Sequence, residues 1–392
     1  MAVRTVRTRT RLRRITWTGA LVAVAVTGTT LLSPAVAGAA VHDGRTTHSA
    51  TRKALDDAVA EGVPGALAQV RDRAGVWNGA AGVADRTTGR ERGAQDRYRI
   101  GSITKTFVAT VLLQLEAEGR IDLDDSVESV LPGVVRGNGN DGRAITVRQL
   151  LNHTSGLYSY TADPEFVEKV FGDGFLKHRY DTWTPRQLVA IGLAHRPDFE
   201  PGTGWNYSNT NYVLAGMIVE KVTGRSYGTE IERRILRPLK LRATSVPITD
   251  PTMPNPAGRA YAKFSADPDA EIHDVTELNP TIAGAGGGMI SHSADLNRFL
   301  GALLGGKLLP KAQLREMMTT VATSDQMPNI RYGLGLTAEK LSCGKETWGH
   351  GGGIHGSSSM AVSTRDGGHS LAMNYNADWV GDTGKAVEAE FC

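Results

Sequence analysis

The stretch Arg99-Ile100-Gly101-Ser102-Ile103-Thr104-Lys105-Thr106-Phe107 decides how this chain is read. It sets a small polar residue at the opening of a helix and a lysine one turn further on. After Lys105 come Phe107, Val108, Val111, Leu112, Leu113 and Leu115, an apolar set with helical spacing. Residues three apart project from one helix face, so the Ser102 hydroxyl and the Lys105 amine come within reach of each other. Ser102 then also stands at a helix N-terminus, where unpaired N–H groups and the dipole favour a developing negative charge. A nucleophile, a base and part of an oxyanion site fit into four residues. The same residues also read as an ordinary N-cap followed by a solvated lysine, so the rest of the chain has to choose.

The 392-residue chain is 40% hydrophobic and 22% charged, an ordinary globular composition with ample core. Residues 1–40 fall outside the fold. Arg4, Arg7, Arg9, Arg11, Arg13 and Arg14 precede an apolar run over 15–32, and Ala35-Val36-Ala37-Gly38-Ala39-Ala40 offers A-x-A cleavage sites. That is the layout of a bacterial secretory signal peptide, with a run short for a stable anchor. The Arg13-Arg14 pair lacks the flanking context of a twin-arginine signal, so the general export route is expected. The protein is therefore expected to be secreted, free or associated with the cell wall, with no membrane anchor after cleavage. The formal net charge is +3, and removing those six arginines leaves about −3. A nucleic-acid partner is excluded, because no basic stripe with interleaved aromatics remains.

Two cysteines, Cys343 and Cys392, remain in the mature chain. An even count in an exported protein points to one disulfide, the alternative being two separate thiols. Loop entropy assigns such a bridge roughly 4 kcal/mol. Neither cysteine lies in a C-x-x-C redox motif, so the pair is structural.

Taken in order, 51–61 reads as a helix, 65–71 and 75–83 as strands, and the helix after Ser102 runs to Gly119. Helical patterns then follow at 122–131, 146–152, 184–195, 209–222, 227–235, 293–304 and 311–318. From Arg331 the period changes: 331–336, 347–350, 357–363 and 369–377 read as strands, and 386–391 as a closing helix. The order predicts an α/β (α+β) domain assembled from 41–110 and 320–392, with a mostly helical domain over 111–319 inserted between them.

Three stretches carry the chemistry: Ser102-x-x-Lys105, Tyr207-x-Asn209 and His350-Gly351-Gly352-Gly353. A serine hydroxyl is a poor nucleophile until a base takes its proton. A lysine does so only when desolvation or nearby positive charge lowers its pKa, and the buried helix after Ser102 is where that is expected. A tyrosine shuttles the proton to the leaving group, and an asparagine holds a substrate amide. A glycine-rich strand edge lets a substrate backbone approach and donates a second N–H to the oxyanion.

With these three motifs in this order, the chain resembles the serine β-lactamase and penicillin-binding-protein superfamily, in its class C-like branch. The resemblance covers about 50–392 and includes Gln149-Leu150-Leu151-Asn152-His153-Thr154-Ser155-Gly156-Leu157, Tyr332-Gly333-Leu334-Gly335-Leu336 and Leu341-Ser342-Cys343-Gly344. It is most like the secreted D-alanyl-D-alanine carboxypeptidases, which share the late cysteine pair. The resemblance implies a β-lactamase/transpeptidase-like fold, with an antiparallel sheet flanked by helices plus the inserted helical domain. It further implies a covalent acyl-enzyme in which Ser102 attacks, Lys105 and Tyr207 share the general-base and general-acid work, and Asn209 holds the substrate amide. The N–H groups of Ser102 and Gly353 would form the oxyanion hole beside Gly352. His350 would shape the charge field and position the substrate.

Two departures bear on the substrate. The best-matched carboxypeptidases follow the third-motif histidine with a threonine that binds the substrate carboxylate, and here that position is Gly351. An arginine expected just after the Tyr332–Leu336 strand is Thr337. Losing charge-assisted partners weakens a substrate recognised by its carboxylate. The expected activity is an exported serine hydrolase, with D-alanyl-D-alanine carboxypeptidase on peptidoglycan peptides as the leading reading. A β-lactamase, a carboxylesterase or a D-amino-acid amidase on the same machinery is the alternative, and a non-catalytic penicillin-binding sensor a third. The expected partner is a small peptide, β-lactam or ester, bound by a monomer without cofactor.

Other signals have simpler explanations. Gly301-x-x-x-x-Gly306-Lys307 imitates the start of a P-loop, but lies at a helix C-terminus and lacks Ser or Thr at Leu308. Gly284–Gly288 lacks the strand–turn–helix unit of a dinucleotide fingerprint and reads as a close-packed pocket wall. His350, His355 and His369 have no metal-ligand spacing, so no metal site is expected. His153 reads as structural. Tyr158, Tyr160 and Phe166 either line the substrate groove or pack the helical unit.

Overall fold

The computed structural model describes residues 48–392 apart from 266, 268 and 326; the segment 1–40, expected to be a signal peptide, lies outside the described residues. Its centre is an eight-stranded, wholly antiparallel sheet. The strands are β1 (Gly65–Asp72), β2 (Gly75–Gly82), β3 (Val321–Ala322), β4 (Ile330–Tyr332), β5 (Thr337–Lys340), β6 (Glu346–Ile354), β7 (Ser357–Ser363) and β8 (Ser370–Tyr375), in spatial order β2-β1-β8-β7-β6-β5-β4-β3. The two ends of the chain meet at the β1–β8 pair, where Ala66 faces Tyr375 and Arg71 faces Ser370.

The central strands are buried on both faces because helices cover each side. Alternate side chains point to opposite faces of a strand. Ala66, Ala68, Val70, Met360, Val362, Leu371 and Met373 pack with Leu55, Ala58, Val387 and Phe391 from the terminal helices α1 (Ser49–Ala60) and α5 (Thr383–Phe391). The residues between them, Leu67, Ala361 and Ala372, belong to the core on the other face. Two of those three are alanines, which leaves room for a long helix to lie flat on the sheet. That helix is α4 (Ser293–Leu304), which packs on β8, β7 and β1 and donates from Asn297 Nδ2 to Gln69 O at 2.8 Å.

Beyond α4 lies α2 (Thr104–Ala117), buried from Thr104 to Leu113. Phe107 of α2 stacks on Phe299 of α4, with ring centroids 3.7 Å apart and planes 11° from parallel. On its other side α2 packs against α3 (Asn209–Thr223), which Gly224 ends in the left-handed conformation at φ 71°. Capping boxes at Thr146 and Thr184 open two neighbouring helices, Val147–Leu151 and Pro185–Leu193. A disulfide joins Cys343, in the turn between β5 and β6, to Cys392 after α5.

Several elements differ from the sequence expectation. The α-helix begins at Thr104, and Ser102 sits in the single 3₁₀ turn Gly101–Ile103 that leads into it. The helix expected over 122–131 shrinks to Val127–Val130. Asp122 and Asp125 side chains accept from nearby backbone N–H groups and hold the preceding residues in a turn. The strand expected over 331–336 stops at Tyr332 with β4, and 333–336 form the turn to β5, where Gly335 takes φ 69°. β6 extends through all three glycines to Ile354, paired from Trp348 onward with β7. Gly301–Lys307 spans the end of α4, where a phosphate-binding loop is not formed.

The Phe107–Phe299 pair is the direct tie between α2 and the helix on the sheet. Phe107→Ala is expected to lower the unfolding free energy by about 3–5 kcal/mol in urea titration. A loss below ~1 kcal/mol would show that α2 takes its anchorage elsewhere.

Candidate active site

Ser102, Lys105, Tyr207, Asn209 and the glycines of β6 converge where the Gly101–Ile103 turn meets β6, below the N-terminus of α3. Gly101 adopts φ 49°, and a Cβ there would fall 2.8 Å from Gly353 N. A Cβ on Gly352 would fall 2.0 Å from Ile100 O and 3.2 Å from Ser102 N. Strand and turn therefore touch backbone to backbone, which side chains at these positions forbid. The Ser102 and Gly353 amides are brought to neighbouring positions as a result. Gly353 is exposed and a Cβ on it would meet nothing within 4 Å, so its edge faces open space. Ser102 is half-buried, open on the same side.

Lys105 is fully buried, and its Nζ has three polar neighbours: Ser102 Oγ at 3.0 Å, Asn209 Oδ1 at 2.8 Å and Gly286 O at 2.7 Å. Asn209 is oriented by its own amide, which donates to Thr161 Oγ1 at 3.0 Å and so turns Oδ1 toward the lysine. Two of the three neighbours accept only. A neutral amine has two N–H donors and one lone pair, so it matches this set with the lone pair left for the Ser102 O–H. Burial pulls the Lys105 pKa well below the ordinary lysine value, in the same direction. This is the protonation state a base requires.

The Tyr207 ring is half-buried but its hydroxyl is enclosed. That hydroxyl makes no hydrogen bond of full geometry, although Ser102 is close enough to offset part of the burial that raises its pKa. Tyr207 therefore stays protonated and able to donate. The ring lies 4.3 Å, centroid to centroid, from the His153 imidazole. His153 Nδ1 accepts from Ser208 N–H and from Asn211 Nδ2, each at 3.2 Å, and so holds the Tyr207-Ser208-Asn209 turn in place. Burial holds that imidazole toward its neutral form, an effect that a protonated Lys105 would add to.

His350 is 5% exposed and also neutral, its pKa pushed down to about 3 by burial and by Lys105. The Tyr332 hydroxyl donates to its Nε2 at 2.8 Å, and Nδ1–H donates to Gly351 O. A neutral ring adds no positive charge, so the expectation that His350 shapes the charge field gives way to a structural one: it ties β4 to β6 and fixes the glycine edge. Thr337 gives its hydroxyl to Gly349 O at 2.8 Å. Gly351 leaves ordinary van der Waals space, with Met360 Cε 3.4 Å from a Cβ placed there.

Three contributors complete the site, one of them from the Gly284–Gly288 stretch expected to wall the pocket. Gly286 O and Thr161 position Lys105 and Asn209, and Tyr332 orients His350; backbone carbonyls carry no side-chain signal. Tyr160 and Phe166 pack in the core, Tyr160 donating to Ile282 O at 2.8 Å, whereas Tyr158 stacks on His195 at 4.0 Å. Among the described residues, the one group of potential metal ligands is Cys343, Glu388 and Cys392, whose sulfurs are already in the disulfide.

These protonation states set the pH dependence. A lysine base works only when deprotonated, so kcat/KM is expected to fall on the acid side as Lys105 gains a proton, and to level off above its lowered pKa. His350, neutral down to about pH 3, contributes no limb. His350→Gln is expected to keep the acid limb in place in a pH–rate series, whereas Lys105→Met removes at least ~1000-fold of the rate. An acid limb that moves with His350→Gln would assign the base to the imidazole.

Over residues 51–384 the chain matches the model of the Beta-lactamase family. Penicillin-binding protein 4 of Amycolatopsis lactamdurans is 28% identical over 297 residues, 75% of this chain and 71% of that protein. Penicillin-binding protein 4* of Bacillus subtilis is 28% identical over 311 residues, which cover 77% of this chain and 65% of that longer protein. Among solved structures, a D-stereospecific amidohydrolase from Streptomyces sp. is 67% identical, with a TM-score of 0.84 over 88% of this chain and 98% of that one. The D-amino acid amidase of Ochrobactrum anthropi SV3 is 29% identical, with a TM-score of 0.75 over 87% and 96% of the two chains. With an antiparallel sheet flanked by helices and a serine beside a buried lysine, the chain belongs to the Beta-lactamase family, within the superfamily of serine β-lactamases and penicillin-binding proteins.

Proposed function

We propose that this serine hydrolase is a D-stereospecific amidase that cleaves the amide of D-amino-acid derivatives through an ester on Ser102. The observation that carries this reading is the uncharged rim of the site. Gly351 has no side chain, the Thr337 hydroxyl is bound to Gly349 O, and His350 is neutral. A peptide ending in a free carboxylate finds no cationic partner on these residues, whereas an amide or ester needs none. Similarity to the Streptomyces amidohydrolase at 67% identity supports the amidase over the carboxypeptidase that the motifs alone put first.

The chemistry follows from the geometry. As Ser102 Oγ forms its bond to the substrate carbonyl carbon, its proton passes to the Lys105 lone pair at 3.0 Å. The N–H groups of Ser102 and Gly353 receive the oxyanion. The C–N bond then breaks, and a proton delivered by way of the Tyr207 hydroxyl lets ammonia or an amine leave. Water attacks the remaining ester, releasing the acid and restoring the Ser102 O–H. Asn209 serves twice, accepting from Lys105 and facing the substrate amide.

Export is part of the same proposal. The Cys343–Cys392 disulfide suits an oxidising compartment, and among the described residues no helix is long and apolar enough to cross a membrane.

The test is a substrate panel: D-phenylalanine amide, L-phenylalanine amide, and a D-Ala-D-Ala peptide with a free or amidated C-terminus. The D-amide is expected to exceed its enantiomer by about 100-fold or more in kcat/KM, and the amidated peptide to exceed the free acid. Intact-mass analysis with a slow ester is expected to show an adduct that Ser102→Ala lacks. Faster turnover of the free-acid peptide would return the assignment to a carboxypeptidase.

A further inference from the structure

We propose a halide site beneath the turn that carries Ser102, in which chloride lies between the guanidinium groups of Arg92 and Arg99. These arginines are 6% and 3% exposed. Arg92 Nη2 donates to Asn374 Oδ1 at 2.8 Å. Arg99 Nη2 donates to Pro251 O at 2.7 Å and to Leu278 O at 3.1 Å. Arg92 Nε and both Nε and Nη1 of Arg99 are enclosed without any hydrogen-bond partner. Among the described residues neither arginine has a carboxylate at ion-pair distance. Asp96, the acid beside Arg92, is bound to Arg90 Nη1 and to the Gly93 N–H, both at 3.0 Å.

Both guanidiniums line one cavity of about 10 Å³, lined also by Gly258, Arg259, Gly356, Ser357 and Asn376. That is room for a species about the size of one water, which favours a monatomic anion over a polyatomic one. The chain makes space for the arrangement: a Cβ on Gly258 would fall 2.1 Å from Arg92 Nη1. Burial lowers both arginine pKa values only to about 10, so both stay charged at neutral pH.

The competing occupant is water. Asn376 Oδ1 is a buried acceptor without a partner, and a water bridging it to the guanidiniums would satisfy hydrogen bonds. Asp96 near Arg92, and Asp250 and Glu277 near Arg99, offset these charges only from beyond ion-pair distance, so a water would leave no anion in contact with either buried guanidinium. A monatomic anion accepts from several N–H donors at once and removes that charge.

The site reaches the catalytic turn through the backbone. Arg99 O accepts from Ser357 Oγ at 2.7 Å, and Ile100 N–H donates to Met289 O at 3.0 Å, one residue before Gly101 and Ser102. Chloride is thus expected to firm the turn whatever the substrate, and its test does not depend on the amidase reading.

The mature protein is melted at fixed ionic strength while gluconate is exchanged for chloride, bromide or acetate. Chloride and bromide are expected to raise Tm by a few degrees with saturation, and acetate not to. Bromide-grown crystals are expected to show an anomalous peak between Arg92 and Arg99. Asn376→Asp supplies a fixed carboxylate in the anion's place, so it is expected to flatten the halide response. Should that variant not fold, the wild-type titration and the anomalous map decide. A Tm indifferent to chloride, or a water without bromine signal in the cavity, overturns the proposal.

Discussion

The structure depends on an amine placed where an ammonium ion is unwelcome. Lys105 lies in the first turn of a helix buried against the core, and water does not reach it. Charging a lysine there costs desolvation that only an anionic partner would offset, and the groups that meet its Nζ are a hydroxyl, an amide oxygen and a carbonyl. The neutral form is selected by solvation, and its direction is selected by the neighbours. Asn209 and Gly286 take the two N–H groups, which leaves the lone pair for Ser102. One helix thus turns a weak hydroxyl into a candidate nucleophile with no histidine in the proton path.

The rest of the architecture serves that placement. Alanines on the inner face of the central strands let α4 lie on the sheet, and the Phe107–Phe299 stack holds α2 on α4. Glycines at 101 and 352 let the Ser102 turn and β6 touch, so two amides stand side by side without side chains to separate them. The same glycine edge that makes the amides accessible offers no side chain at Gly351 to meet a carboxylate. Backbone approach and uncharged rim come from neighbouring positions on one strand.

Much of this was legible in the sequence, because side-chain chemistry at fixed spacing survives folding. Ser102-x-x-Lys105 lies on a helical turn, so its geometry is local, and the structure closes it at 3.0 Å. Tyr207-x-Asn209 and His350–Gly353 needed a family resemblance to join them, since their separation is set by the sheet. Less legible were contacts made by backbone atoms, such as Gly286 O, and partners chosen by tertiary packing, such as Tyr332 on His350. Burial also bears on His350, expected from the resemblance to shape the charge field: desolvation pulls its pKa down to about 3. The helix expected over 122–131 failed for a local reason, because aspartate side chains compete with the helix for backbone N–H groups. The turn at 333–336 likewise cut short the strand expected over 331–336.

The most direct test of the account is the ionisation of Lys105 itself. Lysines labelled with carbon-13 at Cε report protonation through their chemical shift, and the Lys105 signal is assigned by its loss in Lys105→Met. The account predicts one lysine titrating well below 10.5, neutral over the pH range of catalysis. A Lys105 signal that titrates with the ordinary surface lysines would contradict it, and the proton on Ser102 would need another acceptor.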